Sequence, residues 1–244
     1  LKMGANVVGV SKDVPTRPSM FKILNLEKKI KHYKENICDL NRIKLIINKE
    51  KPDFIFHLAA QAIVSTSFYD PIETISTNVI GTTNILEVLR SYNKKCITVM
   101  ITSDKCYDNV EWVWGYREDD KIGGKDIYSG SKAAAENLIK SYYYSFFKDK
   151  NHPVKIGIGR AGNVIGGGDW AKDRIIVDCM TSWSKGSSVE IRSPEATRPW
   201  QHVLEPLSGY LQLGTELLNN CNIDGHAFNF GPKAEQNRTV VNLL

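Results

Sequence analysis

Five short, nearly continuous apolar runs alternate with longer segments whose apolar residues recur at helical spacing. The strand-like runs are Val7 to Ser11, Asp53 to Ala60, Ile97 to Ser103, Val154 to Arg160 and Ala227 to Gly231. Met3-Gly4-Ala5-Asn6, just before the first, reads as a helix end and turn. Between the runs, Pro71 to Tyr92 places Ile72, Ile75, Val79, Leu86 and Leu89 close to a 3.6-residue period, and Tyr128 to Phe147 is a second long helical segment. Strands separated by helical crossovers predict βαβ units and a parallel sheet. Strands apolar throughout, rather than alternating, predict a sheet covered on both faces. Gly166 to Arg198 breaks the alternation with glycines, Trp170 and proline, and is expected to form a substrate-covering lobe.

In an open sheet of this kind, ligands bind outside the carboxyl ends of the strands. Polar residues gather there: His57 to Gln61, Thr102 to Lys105, and Arg160 to Asn163. His57 sits in an apolar strand with no partner at ligand spacing, so it reads as a satisfied core histidine.

The composition, 42% hydrophobic and 24% charged over 244 residues, suits one large α/β domain or one domain with a smaller lobe. No run of about 18 apolar residues appears, so no membrane span is expected. Five cysteines (Cys38, Cys96, Cys106, Cys179, Cys221) lack C-x-x-C spacing, which argues against a disulfide framework or a metal site and for a reducing cytoplasm. The net charge of +5 is spread along the chain and does not indicate a nucleic-acid partner.

The chemistry centres on Tyr128-Ser129-Gly130-Ser131-Lys132. On a helix Tyr128 and Lys132 share a face, and an adjacent ammonium would lower the tyrosine pKa and make it a general base. Alone, this spacing is more often that of a packed tyrosine and a solvated lysine. Ser103, at the end of an apolar strand, offers a hydroxyl that can bind a substrate hydroxyl beside the tyrosine. Asp104 and Lys105 follow it as an acid and an amine.

These elements resemble the extended short-chain dehydrogenase/reductase family, which pairs a Ser/Thr after a strand with Y-x-x-x-K. His57 to Gln61, and Asn78 within Ser76 to Thr82, also match it. Asp104-Lys105 followed by Cys106-Tyr107-Asp108-Asn109 resembles the CDP-glucose branch of the sugar-nucleotide 4,6-dehydratases, as do Glu111 to Glu118, Arg160 to Trp170 and Arg198 to Leu207. The resemblance implies a Rossmann-like doubly wound parallel sheet. Residues 1–165 would form the NAD-binding domain, rejoined by about 200–231, with 166–199 and 232–244 as a substrate-binding lobe. It implies NAD as cofactor and a nucleotide sugar, CDP-glucose first, as substrate. It also implies a homo-oligomer, with the 71–92 and 128–147 helices forming a four-helix seam.

By the same resemblance Ser103, Asp104, Lys105, Tyr128 and Lys132 are catalytic. Asp39, Leu58, Ala59, Ala60, Gln61, Asn78, Thr102 and Arg160, with Tyr128 and Lys132, would hold the cofactor. Asn163, Asp169, Trp170, Arg174, Arg192 and Arg198 would hold the substrate. Asp39 is equally a helix N-cap, Asn78 a structural amide, and each arginine a surface cation. Lys105 replaces the family's usual glutamate. As the base at carbon 5 it would need a pKa lowered by burial or a neighbouring cation; otherwise its role is electrostatic.

Two departures stand out. The family's glycine-rich phosphate loop and its strand are absent, so the sequence is expected to be truncated before Leu1, and also after Leu244. Ser11, with Asp13 beyond it, stands where an acidic residue would hold the cofactor ribose, and Lys12 and Arg17 keep NADP open. A 4-epimerase on the same fold, or a non-catalytic nucleotide-binding scaffold, are the competing readings. The first has no use for Asp104-Lys105, and the second none for Ser103, Tyr128 and Lys132.

Overall fold

The computed structural model describes the backbone of residues 1–244 and every side chain except that of Cys221. Its strands are β1 (Val8–Ser11), β2 (Lys31–Lys34), β3 (Phe54–His57), β4 (Cys96–Ile101), β5 (Val154–Ala161), β6 (Val164–Ile165), β7 (Thr197–Arg198), β8 (Gln201–His202), β9 (Ala227–Phe230) and β10 (Arg238–Thr239). The α-helices are α1 (Met20–Ile23), α2 (Leu40–Glu50), α3 (Val64–Tyr69), α4 (Pro71–Ile75), α5 (Thr82–Arg90), α6 (Ile127–Tyr142), α7 (Ile175–Trp183), α8 (Leu204–Asn219) and α9 (Val240–Leu243).

Four parallel strands in the order β3-β4-β5-β9 form the main sheet. Its strands bury both faces. On β4, Cys96 and Met100 pack into one cluster with Ile43 and Ile47 of α2, Leu86 and Leu89 of α5, and Ile139 of α6. The alternate residues Ile97 and Val99 point the other way, against Tyr210, Leu213 and Leu217 of α8. That split follows from the two-residue period of a strand, and it makes the sheet doubly wound. Each fully buried aliphatic side chain of these layers contributes about 1.5–3 kcal/mol.

β1 pairs in parallel with β2, not with the main sheet, so the parallel strands of four residues or more fall into two blocks. The edge strands of the blocks keep Val8 and Phe54 each 39% exposed. β2, Lys31-His32-Tyr33-Lys34, was not among the expected strands. Its residues are charged or half-buried, with no apolar run to signal it. The helical segment after β3, expected over Pro71 to Tyr92, runs from Pro71 to Arg90, with Ser76–Gly81 wound as a π-helix between α4 and α5. A second π-helix, Tyr143–Phe147, extends α6.

Within 166–199, α7 is the principal element. Two small pairings tie the region down: β6 beside β8, and β7 antiparallel to β10. Cys38, Cys96, Cys106 and Cys179 are free thiols, while Cys221 lies outside the described side chains. Among the described residues, no helix is long and apolar enough to cross a membrane.

Candidate active site

The carboxyl ends of β3, β4 and β5 open into a cavity of about 820 Å³, within the range of small-molecule sites. Two local structures deliver the reacting side chains to it. The first is the turn at the end of β4. Ser103 caps the short 3-10 helix Asp104–Cys106, accepting from the Lys105 N–H at 3.2 Å and donating to Asp104 Oδ1 at 2.9 Å. The second is the start of α6, capped by Asp126, which accepts from the Ser129 N–H at 3.0 Å and from its hydroxyl at 2.7 Å. The cap fixes the first turn of α6, and Tyr128 and Lys132, four residues apart, both line the cavity. Ser103, Asp104 and Lys105 line it too.

Burial sets the electrostatics. Asp104 is pushed above the usual carboxylate range by burial, against the pull of the Ser103 hydroxyl, Lys105 and Arg198. A carboxyl held towards its neutral form can donate a proton. Lys132 is 7% exposed, and burial lowers it to about 8. Tyr128 departs from expectation: burial raises it, the neighbouring Ser103 hydroxyl draws it back, and Lys132 does not offset the burial. In the free protein the phenol is therefore held neutral. The expected lowering of its pKa by the ammonium is corrected accordingly. Ser103 and Tyr128 line the same cavity.

Other expected site residues divide into two groups. Leu58, Ala60, Thr102, Asn163, Asp169, Arg174, Arg192 and Arg198 line the main cavity. A side chamber of about 440 Å³ shares Lys105, Asn163, Asp173, Arg174, Arg192 and Arg198 with it, a wall of four cations and one carboxylate. Arg174 Nε is buried without a hydrogen bond and lies 3.5 Å from Asp169, while Arg192 pairs with Asp173 at 3.2 Å. The loop opposite is kept thin by glycine: a Cβ on Gly162 would sit 2.7 Å from Pro199 and 3.4 Å from Asp104 Oδ2.

The remainder lie elsewhere. Asp39 is the N-cap of α2, accepting from the Arg42 N–H at 3.0 Å, and does not line the cavity. Asn78 joins the backbone of Gln61 to Ser131, and the Gln61 side chain bonds Ile63 and Thr74, so both amides brace the turn after β3. Ala59 packs on the core, and Trp170 is outside the cavity lining. Arg160 is the clearest correction. Expected at the cofactor, it is 1% exposed, and its guanidinium forks onto Glu136. His57 is a core histidine as expected, with Nε2 3.0 Å from Thr82 Oγ1, and burial lowers its pKa to about 4.

Glu136, and the cavity residues Met20, Trp200 and Asp173, were not expected. For Glu136 a signal existed: it lies four residues beyond Lys132 and eight beyond Tyr128, on the same helical face. Met20 and Trp200 carried no local signal.

A family model described as GDP-mannose 4,6 dehydratase matches residues 1–217. The chain belongs to that family. It is 47% identical over 242 residues to a CDP-glucose 4,6-dehydratase of Salmonella typhimurium, covering 98% of this chain and 67% of that protein. A dTDP-D-glucose 4,6-dehydratase of Dictyostelium discoideum is 33% identical over 57% of this chain and 33% of its own length. Among solved structures, a Thermotoga maritima UDP-glucose 4-epimerase with UDP-glucose superposes with TM-score 0.82 at 23% identity, over 99% of this chain and 73% of that one. A Bacillus anthracis dTDP-glucose 4,6-dehydratase in complex with NAD gives 0.77 at 21% identity, over 99% and 71%. These two share the fold, a Rossmann-like α/β architecture. At the cavity of this chain the Asp104-Lys105 pair lies beside the Ser103, Tyr128 and Lys132 side chains.

Proposed function

We propose that the chain catalyses NAD-dependent dehydration of a nucleotide-activated hexose: CDP-glucose to CDP-4-dehydro-6-deoxy-glucose plus water. The observation that carries this reading is the convergence of Ser103, Asp104, Lys105, Tyr128 and Lys132 on one cavity, with Asp104 held towards its neutral form. The 47% identity to a CDP-glucose 4,6-dehydratase supports the choice of reaction and nucleotide.

The residues present fit the cofactor. Lys132 Nζ reaches the cavity with no protein group drawing its pKa back as a hydrogen-bond partner, as suits an ammonium meant for a ribose diol. Leu58 and Ala60 add an apolar wall. NAD, when bound, supplies the site that takes a hydride from carbon 4 and returns it to carbon 6. Tyr128 Oη accepts the proton of the 4-hydroxyl while Ser103 hydrogen-bonds that oxygen. The Ser103 hydroxyl and the charge of Arg174 oppose the effect of burial on Tyr128, and a bound nicotinamide cation would add to them, while Lys132 would hold the cofactor ribose. The 4-ketone acidifies the proton on carbon 5, which the unprotonated amine of Lys105 removes. Asp104 gives its proton to the departing 6-hydroxyl, which leaves as water. Lys105 returns its proton to carbon 5 as carbon 6 is reduced, and the proton on Tyr128 replaces, through solvent, the one lost by Asp104. The sum is loss of one water.

Arg174, Arg192 and Arg198 are the candidates for the diphosphate, since guanidinium groups suit bidentate anion contacts. We also read the protein as a cytoplasmic homo-oligomer. Exposed Phe68, Tyr69 and Ile72 on the α3–α4 segment support a self-association face.

The test is incubation with NAD and, separately, CDP-glucose, dTDP-glucose and GDP-mannose, reading the alkaline absorbance of a 4-keto-6-deoxy product. Conversion of CDP-glucose is expected. Interconversion of hydroxyl configuration at carbon 4 without loss of water would instead establish an epimerase, and no conversion of any of the three would overturn the reading.

A further inference from the structure

The two catalytic hydroxyls come from different elements, Ser103 from the end of β4 and Tyr128 from the first turn of α6, yet they must meet on one sugar oxygen. A buried carboxylate behind the cavity joins the elements that carry them. Glu136 is fully buried on α6 and does not line the cavity. It accepts a hydrogen bond from Thr102 Oγ1 at 2.9 Å, and Thr102 immediately precedes Ser103. It also accepts from Arg160 Nε, 2.8 Å from one carboxylate oxygen and 3.0 Å from the other, with Nη2 on the first. Arg160 lies on β5, just before Gly162 and Asn163 of the cavity wall. One carboxylate thus ties together the helix of Tyr128 and Lys132, the strand end of Ser103, and the strand end of Asn163.

The tie extends further. Arg160 Nη1 donates to the Tyr107 hydroxyl at 2.6 Å and to the Glu118 carbonyl at 3.0 Å. The Tyr107 hydroxyl donates onward to Asn229 Oδ1 of β9 at 2.7 Å. The Asp104-Lys105 turn is therefore held from behind as well. Holding the layers together does not require such a network, because an apolar cluster of equal volume stabilises as well as a buried ion pair. What a carboxylate adds is direction: its lone pairs fix the Thr102 rotamer and the height of Ser103 relative to α6. A misplacement of about 1 Å at reacting groups can cost about 100-fold in rate.

We propose that Glu136 is a positioning residue of the dehydration, setting Ser103 against Tyr128 through the Thr102 hydroxyl, with Arg160 orienting its carboxylate. This rests on the reaction proposed above. Thr102→Val removes the link but leaves the ion pair, and Thr102→Ser keeps the link. In the holoenzyme, Thr102→Val is expected to lower kcat about tenfold with KM for CDP-glucose and for NAD within about twofold of the parent, and Thr102→Ser to restore kcat to within about twofold. Glu136→Gln/Arg160→Met, which leaves no unpaired buried charge, should lower kcat at least as far. Amide exchange gives a reading that needs no substrate. The Lys105 N–H, bonded to Ser103 Oγ at 3.2 Å, should exchange about tenfold faster in Thr102→Val.

Unchanged kcat in Thr102→Val, an equal loss in Thr102→Ser, or a loss confined to KM would each overturn the proposal. So would unchanged exchange at Lys105. If the parent protein converts none of the sugar nucleotides, the reaction assigned above fails, and the exchange result alone decides whether Glu136 sets Ser103.

Discussion

Lys132 is a charge the fold holds at its own expense, and removing it should make the protein more stable. Its pKa falls from 10.5 to about 8, chiefly through burial, with no protein group recovering it by a hydrogen bond. At about 1.4 kcal/mol per pKa unit, the buried ammonium destabilises the native state by about 3 kcal/mol wherever both states are protonated. The pH dependence follows from the direction of the shift. Below about pH 8 the folded and unfolded chains both carry the proton, and the whole penalty is present. Between about 8 and 10.5 the folded state releases it first and the unfolded state binds more protons, so stability rises with pH. Above 10.5 the penalty is gone. Lys132→Met keeps the volume and drops the charge. Urea unfolding at neutral pH should show a gain of about 3 kcal/mol, equivalent to a rise of about 6–12 °C in Tm for a chain of this size. By pH 10.5 the gain should have largely disappeared. The same variant should lose at least about 100-fold in turnover, since it lacks the ammonium proposed to hold the cofactor ribose beside Tyr128. A Lys132→Met protein no more stable than the parent at neutral pH would refute the reasoning. A gain that persists undiminished at pH 10.5 would refute it too.

His57 makes the opposite limb of the pH profile. Burial, then the charge of Lys132, lowers its pKa from 6.5 to about 4, so the folded state resists the proton that the unfolded state accepts, and about 3 kcal/mol of stability is lost as pH falls through that window. His57→Gln, which can still bond Thr82, should flatten the decline when urea unfolding is followed from neutral pH to about 4, and an unchanged slope would disprove the attribution. Lys105→Met should stall after oxidation, with NADH absorbance rising and no water lost; turnover at the parent rate would remove Lys105 from the elimination step. Glu136→Ala leaves the Arg160 charge buried and unpaired, and thermal unfolding should report a loss of about 3–5 kcal/mol that Glu136→Leu/Arg160→Met largely recovers. A loss under about 1 kcal/mol in the single variant would show that water or Tyr107 compensates.

The sequence disclosed those parts whose evidence is local. β4 and β5 were legible because each is an apolar run bounded by turn residues, and the structure buries them on both faces. β2 was not, because a charged edge strand is defined by its partner β1 and not by its own pattern. The π-helix at Ser76–Gly81 interrupts a pattern that still reads as one helix, since one wider turn shifts the phase without removing apolar positions. The same distinction governs the site. Tyr128 and Lys132 share a helical face, and Ser103, Asp104 and Lys105 are consecutive, so their meeting needed only the strand-end rule to be foreseen. Arg160 sits in an apolar strand beside glycines, and at the end of such a strand it read as a ligand-binding cation. Nothing local distinguishes a guanidinium facing a ligand from one facing inward. Its partner Glu136 lies 24 residues earlier on another element, on a helix where a glutamate ordinarily reads as a solvated surface residue. Helical phase does distinguish it: a carboxylate in register with Lys132 and Tyr128 faces the sheet, where a cation of a neighbouring strand can meet it in addition to Lys140 on its own helix. Arg160, the sole arginine of β5, is the strand cation that meets it.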